Sequence, residues 1–97
     1  MAQKMSQIEL LRQFLEENLQ NGEAGNGHVR NNQYIHYRTP ILERYDDKYI
    51  LNQTRYSIVT GQIQKRMRNA IPEDKIIIVK GVSEGYKGSL KDFIKNR

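Results

Sequence analysis

The sequence predicts an α+β fold, with a long N-terminal helix and two short helices packed on a small, mainly antiparallel sheet of three to five strands. Three observations predict it. Residues 8–19 repeat apolar side chains at three- and four-residue steps. Residues 34–59 are dense in tyrosine and β-branched side chains, with two-residue alternation. The run Lys75-Ile76-Ile77-Ile78-Val79-Lys80 has the composition of a buried strand. At 97 residues the chain has room for one domain, 1–97, around one modest core.

Ser6 followed by Glu9 has the spacing of a capping box, which starts the first helix. Ile8, Leu11, Leu15 and Leu19 form its apolar stripe, widened by Leu10 and Phe14. Asn21-Gly22 is its expected stop, because Gly tolerates the left-handed conformation after a helix. Residues 21–33 hold three glycines and four asparagines, which predicts a flexible loop. Residues 34–38 alternate as a strand, with Tyr34, His36 and Arg38 on one face. Pro40 cannot donate to a ladder, so it marks an edge, a bend or a bulge. Residues 41–45 and 49–52 form a hairpin around Asp46-Asp47. Arg44 is expected opposite Tyr49 and Leu42 opposite Leu51, which gives one apolar face.

Residues 56–59 continue as a short strand. Thr60 caps a helix over 61–70, which Pro72 ends. Ile63, Met67, Ala70 and Ile71 form its buried stripe. Lys65, Arg66 and Arg68 project elsewhere, with no acid in the helix to balance them. Residues 75–80 read as a central strand. Residues 81–88 are a second flexible connection, and Ser89 with Asp92 caps a short helix that runs into a basic tail at 95–97.

The chain has no cysteine, so disulfides, zinc ribbons, thiol catalysis and iron–sulfur clusters are excluded. The two histidines have no catalytic constellation around them, and their spacing to Glu23 or Glu43 requires no metal site. Neither an enzyme nor a cofactor is expected. Gly85-Tyr86-Lys87-Gly88 fits the Gly-x-x-Gly loop of KH domains, but it follows a strand rather than joining two helices. No apolar run of about 18 residues exists, and the N-terminus lacks a signal-peptide core. A cytoplasmic protein that does not enter the membrane is therefore expected.

The formal net charge is +5 and the pI about 9.6, which suggests an anionic partner, either nucleic acid or an acidic host-protein surface. Arg38, Arg44 and Arg55 interleave with Tyr45, Tyr49 and three other tyrosines, and Lys65, Arg66 and Arg68 add a cationic helix face. Guanidinium groups bind phosphates, and tyrosines stack on unpaired bases. The competing view is that at least half of these tyrosines are core and cross-strand packing. The mean hydropathy of −0.80 is polar for a self-sufficient globule, which makes a homodimer a reasonable expectation.

One pattern resembles a known group. It runs through Glu23-Ala24-Gly25-Asn26-Gly27 and Tyr37-x-Thr39-Pro40-Ile41. Asn52-x-Thr54-x-Tyr56-Ser57 and Thr60 follow, and then a basic helix. It covers about half the chain, residues 23–71, and is similar to small proteins encoded by bacteriophages and mobile elements. It departs at Gly61-Gln62, where a second threonine and a polar or histidine position are expected. The resemblance carries no activity across. It implies a small accessory protein working in a bacterial host cell. The expectation is a non-enzymatic protein that binds nucleic acid or a nucleic-acid-bound host complex. The alternative is an inhibitor of a host defence protein, such as an anti-CRISPR, acting by protein–protein contact.

Overall fold

The computed structural model describes residues 6–94, so the predicted basic tail at 95–97 lies outside the described residues. The fold is α+β. Helix α1 (Gln7–Glu16) is followed by five strands in an antiparallel meander: β1 (Asn21–Ala24), β2 (Gly27–Arg30), β3 (Gln33–His36), β4 (Thr39–Tyr45) and β5 (Lys48–Asn52). Helix α2 (Ile58–Ala70) then crosses to β6 (Ile76–Val79), which pairs parallel with β5. The six strands lie in sequence order, so β1 and β6 are the edges.

Ser6 caps α1 as expected, its hydroxyl accepting from the Glu9 N–H at 3.0 Å. The helix ends earlier than Asn21-Gly22. Asn18 takes a positive φ of 53°, and the Leu19 N–H turns back to the Gln13 carbonyl. The predicted hairpin has the predicted register, with Arg44 opposite Tyr49 and Leu42 opposite Leu51. Pro40 sits in β4 next to a register shift between Tyr34 and Ile35.

Five expectations are corrected. Residues 21–33 are no flexible loop. They supply β1, β2 and the start of β3, because backbone pairing needs few side chains, and Ala24 and Val29 suffice to bury one face. The sheet is larger than three to five strands, and one pair is parallel. Residues 56–59 are not a strand: α2 begins at Ile58, capped by Ser57 in place of Thr60, and at 13 residues it is the longer helix. The third helix is a 3-10 turn, Leu90–Phe93. Finally, residues 75–80 do not form a central strand. β6 lies at an edge, with Ile78 37% exposed.

The two helices cover one face of the sheet. Leu10, Leu11 and Phe14 of α1 and Ile63 and Met67 of α2 pack with Tyr34, Leu42 and Leu51. The segment after β6 covers part of the other face, where Val82 and Leu90 meet Ile50 and Val79. This segment is tied by polar contacts. The buried Glu43 carboxylate accepts from Gln33 Nε2 (2.9 Å), the Leu90 N–H (2.7 Å) and Ser89 Oγ (2.6 Å). The Gly85 N–H donates to Thr39 Oγ1, and the Val82 N–H to Thr54 Oγ1. No helix among the described residues is long and apolar enough to cross a membrane.

Arg44 holds the other side. Its guanidinium donates to the carbonyls of Phe14 (2.8 Å), Leu19 (2.7 Å) and Asn31 (2.9 Å), and it lies 3.9 Å from the centre of the Phe14 ring. Arg44→Met keeps the stem and strands three carbonyls. We expect it to lower the unfolding free energy by about 2–3 kcal/mol, read from the urea midpoint at constant m-value.

Candidate functional site

Each connection in the meander is a two-residue turn. Gly25-Asn26, Asn31-Asn32, Tyr37-Arg38 and Asp46-Asp47 join successive strands. Three of the four use residues suited to turns. The exception is Tyr37-Arg38, and it is the most demanding: both residues have positive φ, at 50° and 69°. A turn of this kind normally takes Asn-Gly. Non-glycine residues in the left-handed region cost of order 1 kcal/mol each, and such strain gathers at functional sites.

The strained turn is buttressed from below. The Tyr37 N–H donates to the Asn26 carbonyl, and Asn26 Nδ2 donates to the Tyr37 hydroxyl at 2.8 Å. The Tyr37 ring stands perpendicular to His36, with centroids 4.6 Å apart, and the tyrosine stays 49% exposed. His36 is 1% exposed. Its Nδ1 meets Thr60 Oγ1 at 3.1 Å, and Thr60 in turn accepts from Ser57 Oγ at 3.1 Å. The tautomer of the imidazole sets which of Nδ1 and the Thr60 hydroxyl donates in this contact. His36 Nε2 is the one buried side-chain polar atom without a partner among the described residues.

Beside this cluster a cavity of about 340 Å³ opens between the turn and the start of α2, lined by His36, Tyr37, Thr39, Tyr56, Thr60 and Glu84 among others. A second hollow of about 380 Å³, sharing Tyr56 and Ser57, brings in Arg55. The first turn of α2 carries two exposed apolar side chains, Ile58 (83%) and Val59 (50%). Ser57 Oγ accepts from the Thr60 N–H, and the Ser57 carbonyl from the Gly61 N–H. The N–H groups of Ile58 and Val59 are the free donors of that helix end, where the dipole favours an anion.

The site residues expected from sequence separate into three groups. Arg55, two residues before Ser57, lines the second hollow, and Arg38 sits in the strained turn between Tyr37 and Thr39, which line the first. Lys65 and Arg68 follow Gly61 at four- and three-residue steps, so they continue along the same flank of α2. Arg66 falls on the opposite flank, lining the groove between α1 and α2. None of these five cations makes an ion pair among the described residues. The third group points inward. Arg44 is engaged by three carbonyls, and burial pulls its pKa down. Tyr49 donates to the Leu15 carbonyl and packs against Phe14, while Tyr45 packs around Ile50. We therefore leave Arg44, Tyr45 and Tyr49 out of the site.

Sequence reasoning missed His36, Ser57, Ile58 and Val59 as site residues. The signal available was a six-residue period. Gly25, Asn31 and Tyr37 open successive turns six positions apart, so Tyr-Arg stands where Gly-Asn and Asn-Asn precede it. Among the described residues no group of three or more His, Asp or Glu is placed to hold a metal. Comparison with family models, with curated proteins and with solved structures finds no match.

Two outcomes follow from this geometry. Burial lowers the His36 pKa from 6.5, so the folded protein keeps the ring neutral while the unfolded chain takes up a proton. Stability is then full above pH 6.5 and falls as pH drops below it, levelling off once the folded state titrates as well. Urea melts of His36→Asn should lose this step. They should keep the separate acid loss below pH 4.5 from Glu9, whose carboxylate Arg12 holds down at about 2. The turn supplies the second. Arg38→Gly should relieve the left-handed strain and raise stability by about 1 kcal/mol in the same assay.

Proposed function

We propose that the protein is a non-enzymatic nucleic-acid-binding protein of phage or mobile-element type, and that it takes an unpaired strand across the Tyr37–Arg38 turn and the start of α2. The observation that carries this reading is the strained Tyr-Arg turn facing a free helix N-terminus. An exposed tyrosine held rigidly offers a stacking face for any base. Arg38 and Arg55 stand on either side for phosphates, and the Ile58 and Val59 N–H groups add neutral anion contacts. Lys65 and Arg68 extend the cationic path along α2. His36 is neutral here, so it supplies shape and a hydrogen bond rather than charge. Glu84 is an acid at the cavity wall, which favours a base over a phosphate at that point.

The bacteriophage resemblance supports the cellular setting of this reading, a bacterial host cell. Five of the residues that carry it, Tyr37, Thr39, Tyr56, Ser57 and Thr60, line the cavity of about 340 Å³. A second reading, contact with a host defence protein, is favoured by Ile58 and Val59, since exposed apolar side chains beside tyrosine and arginine suit a protein hot spot. Capture from host lysate under nuclease treatment separates the two: an inhibitor keeps its partner, and a nucleic-acid binder loses it.

The deciding measurement is binding to labelled single-stranded DNA, RNA and duplex DNA across a salt series. With four cations on the path, the log–log slope on single strands should be about −3. Arg38→Glu with Arg55→Glu, and separately Lys65→Glu with Arg68→Glu, should each weaken binding and flatten that slope. Tyr37→Ala should weaken single-strand binding roughly tenfold without changing the slope. A preference for duplex, or indifference to both charge reversals, would sink the proposal.

A further inference from the structure

The hydroxyl groups around the cavity of about 340 Å³ are already paired within the chain. Thr39 Oγ1 accepts from the Gly85 N–H, and the Tyr56 hydroxyl accepts from Asn52 Nδ2 and donates to the Val82 carbonyl. Ser57 and Thr60 bond to each other, Thr60 meets His36, and the Tyr37 hydroxyl accepts from Asn26 Nδ2. His36 Nε2 has no partner but lies below the surface. Glu84 is different. It stands exposed at the cavity wall, and its carboxylate takes part in no hydrogen bond or ion pair among the described residues.

The loop that carries Glu84 is fixed on both sides of it. The Val82 N–H donates to Thr54 Oγ1 at 3.0 Å and the Gly85 N–H to Thr39 Oγ1 at 2.9 Å. A carboxylate held there presents acceptors and no donor. The rest of the wall suits a flat ring, since Tyr37 and Tyr56 are aromatic and Val59 is apolar. The volume falls at the low end of small-ligand sites.

We infer that this cavity takes guanine, as one base of the unpaired strand in the reading above, on which the inference rests. Among the common bases only guanine sets two N–H donors side by side on its Watson–Crick edge, N1–H and the N2 amino group. The two oxygens of one carboxylate accept from that edge together. Adenine and cytosine set a ring-nitrogen acceptor beside the amino group. Thymine and uracil flank one N–H with two carbonyls. Each of these four turns a lone pair toward the Glu84 carboxylate. An arginine of a partner protein has the same two donors, and charge opposes it. Arg38 lies between two residues of the cavity wall, and Arg55 lines the adjoining hollow. Neither makes an ion pair among the described residues, so both repel a guanidinium and spare a neutral base.

The test measures binding of the full chain to oligothymidine with guanine, hypoxanthine or thymine at one central position, by fluorescence anisotropy. Hypoxanthine is guanine without the N2 amino group. The guanine strand should bind roughly tenfold tighter than the thymine strand, with hypoxanthine between them. Glu84→Gln exchanges one acceptor for a donor and should bring the guanine-to-thymine ratio down to about one, with circular dichroism checking the fold. A second arm titrates guanosine monophosphate, inosine monophosphate and arginine amide separately and follows the amide resonances of Tyr37 and Glu84. Guanosine monophosphate should move both, and further than inosine monophosphate does. Strands that bind with a steep salt slope but no preference for guanine would overturn the guanine site and leave the strand reading standing. Strands that do not bind, with guanosine monophosphate still moving both resonances, would end the strand reading and support the base site. Arginine amide moving them in place of the nucleotide would overturn the inference in favour of a protein partner. A guanine preference that Glu84→Gln leaves intact would overturn it as well.

Discussion

Two adjacent residues, Glu43 and Arg44, hold the fold from opposite faces of β4. Strand alternation sends the carboxylate to one side and the guanidinium to the other. Arg44 gathers the end of α1, the link into β1 and the β2–β3 turn, through carbonyls of Phe14, Leu19 and Asn31. Glu43 gathers Gln33 and the first residues of the last 3-10 turn. Each anchors chain that has few regular backbone partners. Unpaired, either charge would be costly at such a depth; fully bonded, each fixes where a segment docks. Arg44, one of the three arginines expected among the tyrosines to contact phosphate, is therefore occupied within the chain.

The polar composition fits this architecture. Both helices lie on one face, and the opposite face of β1 and β2 carries Glu23, His28 and Arg30 toward water. An antiparallel sheet can leave one face solvated in this way, so a modest core suffices. What could be read from the sequence follows the same line. The Leu42–Leu51 and Arg44–Tyr49 register was legible, because a one-residue slip would expose two leucines. The Ser6 cap was legible from its local chemistry. The β1–β2 hairpin was not, since its Gly and Asn residues signal turns and loops equally, and its pairing rests on the backbone. Gly27 shows why a small residue belongs there: a Cβ would stand 2.6 Å from the Tyr34 hydroxyl. The composition that hid the strand is what lets the buried tyrosine fit.

The candidate site was half legible. Arg38 and Arg55 were chosen for charge; Arg55 lines one hollow, and Arg38 lies between Tyr37 and Thr39, which line the other. Lys65, Arg66 and Arg68 formed one cluster in sequence but divide between two flanks, because a helix turns about 100° per residue. His36 could not be found from sequence, since its role depends on Thr60, 24 residues away, and on an unpartnered Nε2 that only the packed structure defines. Strain and an unsatisfied polar atom sit within two adjacent residues. Each is unfavourable for stability alone, and a fold this small has little to spare. Their coincidence at one exposed turn is more telling than either feature.

The same reasoning applies to β6 in the opposite sense. There no local geometry is strained; the mismatch lies between composition and place. A β-branched run with no charge is what a strand with two neighbours uses. Such an edge, left open, invites association with any extended chain. Acidic Asp74 precedes the strand and basic Lys80 follows it. The chain before it closes part of that edge, because the Ile76 N–H donates to the Glu73 carbonyl at the end of the Glu73–Lys75 turn.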